Sequence, residues 1–229
     1  SSAFVLGRGL RMYQTVNGPP WVTMASCTLD TCSALILEAG RVSMAGCSIG
    51  HGEIGKPPIV MTGGTLDISG SHIGPYVTDS LPTMDIQGGL LTMAGVRLYA
   101  FEGADVTYLK ISGGQAVVSG CAFFRTSDLT FTRPTILQTS GRLSLVGCRT
   151  SDKGAGTGTF LQITTDDYHV ITDNVFLGWG LTLPASHTVM SVRGNLAAIG
   201  GIQYDRGGAQ QAGARVYRST SQAITSGTI

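Results

Sequence analysis

A short phrase recurs along this 229-residue chain at a nearly constant interval. It reads MAGCSI from Met44, ISGSHI from Ile68, MAGVRL from Met93, VSGCAF from Val118, LVGCRT from Leu145, ITDNVF from Ile171 and VRGNLA from Val192, with a looser copy, MASCTL, from Met24. The third residue of each copy marks the register: Ser26, Gly46, Gly70, Gly95, Gly120, Gly147, Asp173 and Gly194. The steps between them are 20, 24, 25, 25, 27, 26 and 21 residues. Repeats of this length are the signature of a solenoid, in which each unit buries its apolar side only by stacking on its neighbours.

Each unit carries a second short run upstream: LILEAG from Leu35, IVMTGG from Ile59, MDIQGG from Met84, LKISGG from Leu109 and LQTSG from Leu137. Both runs alternate apolar with other residues, the two-residue period of a strand. No window favours helix: 33 residues are glycine and β-branched residues are frequent. A Gly-Gly or Ser-Gly corner joins the two runs, where the chain must bend sharply or take a positive φ. One coil is therefore strand, tight corner, strand and a longer variable loop, which is the plan of a parallel β-helix. Stacked at the inter-strand spacing of a sheet, about eight coils of about 25 residues make a rod about 40 Å long. Met24, Met44, Ile68, Met93, Val118, Leu145, Ile171 and Val192 are expected to point inward, as are Leu37, Met61, Ile86 and Ile111. Asp85 and Lys110 fall at equivalent outward positions, where a surface ion pair contributes about 0–1 kcal/mol.

The apolar-x-Gly-(Asn/Cys/Ser)-x-apolar phrase resembles the right-handed, pectate-lyase-like β-helix family over roughly residues 20–200. The resemblance implies an all-β, right-handed, single-stranded parallel β-helix. It leaves function open, since that scaffold carries lyases, glycosidases, adhesins and viral spikes alike.

Cys27, Cys47, Cys121 and Cys148 all follow the register residue, where Ser71, Val96, Asn174 and Asn195 stand in other coils. They read as small stacking residues rather than as a metal or disulfide set, and no His lies beside a Cys pair. Reduced thiols fit assembly in a cytoplasm. Cys32 lies off this column and has no assigned role. Stacked Asn174 and Asn195 are expected to satisfy backbone groups at the corner. A net charge of +1, with 13% charged residues, favours neither nucleic acid nor an anionic membrane. No apolar run approaches the length of a membrane-spanning helix, and no cofactor motif is present. GAGTG at 154–158 lacks the Lys and the helix of a phosphate loop.

Function is expected on the loops, 48–58, 72–83, 97–108, 122–135, 149–160 and 175–188. They hold most of the aromatics, Tyr76, Tyr99, Phe101, Tyr108, Phe123, Phe124, Phe131, Phe160, Phe176 and Trp179 among them. They also hold Glu53, Asp79, Glu102, Asp105, Asp128 and Asp152 in successive coils. In register, these make an acidic and aromatic stripe. One reading is a sugar-binding groove, with Tyr76, Tyr99, Phe101, Tyr108, Asp128 and Trp179 as ligand residues. Another is a glycosidase, which needs two carboxyls about 5–5.5 Å or about 6.5–9.5 Å apart. Asp79, Glu102 and Asp105 are the catalytic candidates for that. The third is solvated carboxylates and aromatics buried against other subunits. Asp166-Asp167-Tyr168-His169 replaces the glycine corner of its coil and reads as a turn. His51, His72 and His187 lack metal-ligand spacing.

Residues 1–21 are expected to form a cap or junction, 22–200 the β-helix, and 201–229 a linker and first strand of a C-terminal head. The chain begins at Ser1 and ends inside RVYRSTSQAITSGTI, so a segment of a longer polypeptide is expected. Residues 214–228, ARVYRSTSQAITSGT, are similar to the opening strands of the jelly-roll-like C-terminal heads of phage tail-fibre proteins. That resemblance implies a trimeric fibre or tailspike shaft in a virion, assembled in the host cytoplasm. Its partners would be other tail proteins and a host surface glycan or protein receptor, with no nucleic acid and no membrane insertion. Outward apolar residues such as Ile36 and Val60 fit three rods side by side. The alternatives are a polysaccharide-degrading β-helix enzyme, including a depolymerising tailspike, and a surface adhesin.

Overall fold

The computed structural model describes residues 10–13, 18–29, 35–50, 57–74, 81–100, 105–125, 132–151, 158–177, 179–185, 189–199, 202–205 and 215–218. Within them the chain is an all-β parallel solenoid, and its strands form three ladders. The first face stacks Arg11–Met12, Leu35–Leu37, Ile59–Met61, Met84–Ile86, the opening halves of Leu109–Ser119 and Ile136–Val146, Gly158–Ile163 and Trp179–Thr182. The second stacks Trp21–Ala25, Arg41–Ala45, Thr65–Ser69, Leu90–Ala94, the closing halves of the same two long strands, Val170–Thr172 and Ser191–Arg193. The third stacks shorter strands: Thr28–Leu29, Ser48–Ile49, His72–Ile73, Arg97–Ala100, Ala122–Arg125, Arg149–Ser151, Val175–Leu177 and Leu196–Ile199. Two antiparallel strands, Ile202–Asp205 and Arg215–Arg218, follow on that face.

The repeated phrase sets the register. Met24, Met44, Ile68, Met93, Val118, Leu145, Ile171 and Val192 pair in sequence as one column. All but Met24, which is half-buried, lie in the core. Leu37, Met61, Ile86 and Ile111 are also buried, as expected. The next position of this first-face column is Gln138, fully buried. Its amide compensates for burial by donating to Gly141 O and Thr165 Oγ1 and accepting from the Thr164 N–H.

Two corners turn each coil, for different reasons. All eight register residues, Ser26 and Asp173 included, are left-handed, with φ between 51° and 63°. Each of the first seven donates its N–H to a carbonyl of the following coil at 2.9–3.2 Å. The other corner is most regular over five turns, marked by Gly40, Gly64, Gly89, Gly114 and Gly141, all with positive φ. There the coils touch backbone to backbone. A Cβ on Gly89 would sit 2.4 Å from Gly64 O, whereas one on Gly95 meets nothing within 4 Å. The first corner therefore selects a conformation, and the second also demands the absence of a side chain.

The residues after the register position form a polar stitch within the core. Asn174 accepts from the Cys148 N–H at 2.8 Å and donates to Leu145 O at 2.9 Å. Asn195 accepts from the Asn174 side chain at 2.8 Å and donates to Ile171 O at 2.6 Å. Ser71 does the same on a smaller scale, accepting from the Cys47 N–H at 3.0 Å. Cys27, Cys47, Cys121 and Cys148 are free thiols in this column. A hydrogen bond to Cys121, together with burial, pushes the Cys148 thiol up, away from the reactive thiolate.

Large aromatics fill the interior behind the third face. Phe123 meets Phe160 edge-on at 5.2 Å, Phe160 stacks on Phe176 at 4.4 Å, and Tyr108 lies 6.3 Å from Phe123. All four rings are buried.

His169, buried at the modified corner, accepts from the Leu143 N–H through Nδ1 at 3.1 Å, and its Nε2 lies 3.2 Å from Thr165 O. One nitrogen accepting and one donating is the neutral ring. Burial lowers its pKa below 6.5, against the opposing pull of the Thr165 carbonyl, Asp167 and Asp166. Arg142 in turn lies 3.7 Å from Asp167. With the folded pKa below the unfolded one, the unfolded chain takes up the proton first. Stability is then full above about pH 6.5 and declines as pH falls below it. The melting temperature is expected to drop between pH 7.5 and 5.5, and His169→Gln to flatten that drop. An unchanged pH slope in the variant would remove the ring from the account.

Candidate functional site

With the strands committed to stacking, the outward side chains define the surfaces available for recognition. Asp105 precedes the Leu109–Ser119 strand and is tied into the next coil. Its Oδ2 accepts from the Thr132 N–H at 3.0 Å and from the Thr132 hydroxyl, and its Oδ1 accepts from the Arg133 N–H at 3.2 Å. Both carboxylate oxygens thus clamp one loop start to another. Asp79 and Glu102, the other two catalytic candidates, lie outside the described residues, as do Tyr76, Phe101 and Asp128. Trp179 opens a first-face strand paired with Gly158, and its side chain lies outside the described set.

Tyr108 is not a surface ligand residue. It is fully buried, and its hydroxyl donates to Phe124 O at 2.5 Å. Phe123, Phe160 and Phe176 are likewise core residues rather than parts of an external stripe. For Phe123 and Phe176 the cause is the third ladder, whose strands are two to four residues long, so that few inward positions per coil must fill the space; Phe160, on the first-face strand Gly158–Ile163, packs against both. Asp166 to His169 form a corner, as the sequence indicates. Asp167 accepts from the Tyr168 N–H at 2.6 Å, and Asp166 from the Val189 N–H at 3.4 Å.

Among the described residues, Tyr99 is the ligand candidate that faces outward. It is half-buried on the third face, in register with Phe124 of the next coil. A Cβ on Gly74 would lie 2.4 Å from Tyr99 Cζ, so the ring rests on the Gly74 backbone. His72, Arg97 and Arg149 are exposed on the same face, at one column interrupted by Ala122. The sequence reading places these three at the starts of the loops 72–83, 97–108 and 149–160 and gives none of them a binding role. The signal is in the phrase itself, for each stands two residues after its register glycine: ISGSHI, MAGVRL, LVGCRT.

Among the described residues no three metal-ligating side chains come together. Among the described residues of the other faces, Arg11 pairs with Glu38, Arg41 with Asp67, and Lys110 with Asp85 at 3.6 Å. The fold and this surface define the chain as a parallel β-solenoid with an aromatic and cationic outer face. Comparison with protein-family models, with curated proteins and with solved structures finds no match.

Proposed function

We propose that this chain is the shaft of a viral tail fibre or spike, three copies side by side, contributing to attachment at a host-cell surface through glycans. The observation that carries the reading is the in-register ladder of the second face, which runs coil to coil from Trp21–Ala25 to Ser191–Arg193. Backbone paired in this way is stiff and protected from proteases. Half-buried Ile36 and Val60, adjacent on the outer side of the first face, suit lateral packing of like rods. The similarity of residues 214–228 to tail-fibre heads adds the viral setting. Light scattering of the purified protein is expected to return three times the 23.8 kDa chain mass, and electron microscopy three parallel rods. A monomer mass would sink the shaft reading. A lone rod with carboxylates converging in an open cleft would favour a polysaccharide-degrading enzyme.

A further inference from the structure

Among the described strands and corners, charge is distributed unevenly from face to face. The strands and corners of the first and second faces carry both signs, and four of their five described cations meet carboxylates, Arg11–Glu38, Lys110–Asp85, Arg41–Asp67 and Arg142–Asp167, leaving Arg193 alone near the end of the rod. The strands of the parallel third ladder contain no Asp or Glu from Thr28 to Ile199. They nevertheless place His72 beside Arg97, and Arg149 two coils beyond Arg97 in the same column. The coil spacing puts these two arginines about 10 Å apart along the axis. Among the described residues neither guanidinium meets a carboxylate. In a chain of net charge +1, the strands of the third ladder thus carry a local excess of positive charge.

The same face carries its aromatic platform in the neighbouring column. Tyr99 lies on Gly74 and pairs in register with Phe124, next to the Arg97 and Ala122 positions. Ala122 between the arginines is nearly covered, so the column has no bulky side chain separating them. A guanidinium fork matches a carboxylate with two parallel hydrogen bonds, and a pyranose ring presents a C–H face to an aromatic.

We propose that the third face binds an acidic polysaccharide lengthwise, with Arg97 and Arg149 holding successive carboxylates and Tyr99 carrying a sugar ring between coils. A linear polymer fits a linear array, and the array repeats along the rod rather than closing into a pocket. Nucleic acid fits less well, because its affinity comes from many phosphate contacts and this face offers few cations. The inference rests on the glycan-recognition part of the proposed function and gives it a face and a ligand charge.

The test is calorimetric binding of the intact chain to polygalacturonate, polysialic acid and hyaluronate, with neutral dextran and single-stranded DNA as comparators. At least one acidic polymer is expected to bind, more weakly as salt is raised, and dextran not to bind. Arg97→Gln and Arg149→Gln are each expected to weaken that binding about tenfold, and Tyr99→Ala to weaken it as well. Both arginines are exposed, so the circular dichroism and melting curves of these variants should match the parent. No binding to any acidic polymer, undiminished binding by the double arginine variant, or equal affinity for DNA would each overturn the proposal. The two readings fail separately: a trimer without acidic-glycan binding removes only this site, and a monomer that binds removes only the shaft.

Discussion

Replacing Gly89 by alanine is expected to destabilise the rod by about 2–5 kcal/mol, while the same change at Gly95 costs about 1–2 kcal/mol. Both glycines are left-handed, with φ of 80° and 61°, so a Cβ strains the backbone at either. Only at Gly89 does it also collide, at 2.4 Å with Gly64 O and 2.7 Å with Gly63 C, atoms of the coil below. That carbonyl is not free to move, since it accepts the Leu90 N–H at 2.9 Å in the ladder itself. Relief means prising two coils apart. At Gly95 the space is open, and Ser26 and Asp173 already occupy equivalent corners with side chains. Gly95→Asn should therefore be the mildest of the three, since asparagine tolerates this region. Guanidinium unfolding followed by far-ultraviolet circular dichroism measures all of them. Equal losses at Gly89 and Gly95 would show that conformation alone governs both corners.

Phe160→Ala is expected to cost about 3–5 kcal/mol, the range for deleting a buried aromatic. Phe160 is the middle ring of three, stacked on Phe176 at 4.4 Å and edge-on to Phe123 at 5.2 Å. Its removal opens a void that strands on either side cannot close, because each is pinned to its neighbours by ladder hydrogen bonds. Phe160→Leu should lose less by refilling part of the volume. The stacked and edge-on contacts themselves contribute about 0.5–1.5 kcal/mol beyond buried area. A loss below about 1 kcal/mol, typical of exposed sites, would contradict the packed-ring account.

The repeat made the fold legible, because a solenoid writes its register directly into the chain. The phrase column from Met24 to Val192 is one continuous ladder, and the marked third residues are one continuous left-handed corner. Asn174 and Asn195 were legible as corner residues for the same reason, since only stacking accounts for a polar residue at a cysteine position. The third face was harder to see. Alternation needs several residues to show itself, and strands such as Ser48–Ile49 and His72–Ile73 have two. Phe123 and Phe176 therefore looked like loop residues, although they are core. The same shortness hid the exposed column of His72, Arg97 and Arg149, which emerges only when the phrases are laid over one another. Asp105 looked available for chemistry because its partners, Thr132 and Arg133, are 27 and 28 residues away in sequence.

The antiparallel hairpin after Ile199 bears on what the rod can join. A parallel stack is a template with a direction, since each coil passes to the next the pattern of donors and acceptors it received. Along the third face that inheritance stops at Leu196–Ile199, where Ile202–Asp205 pairs in the opposite sense and Arg215–Arg218 pairs onto it. The incoming edge of another copy needs evenly spaced, slanted bonds, and here it meets the alternating narrow and wide pairs of an antiparallel strand. The hairpin thus acts as a stop on templated growth at this face. It gives this face of the molecule two ends that differ, one open to a parallel strand and one closed by an antiparallel pair.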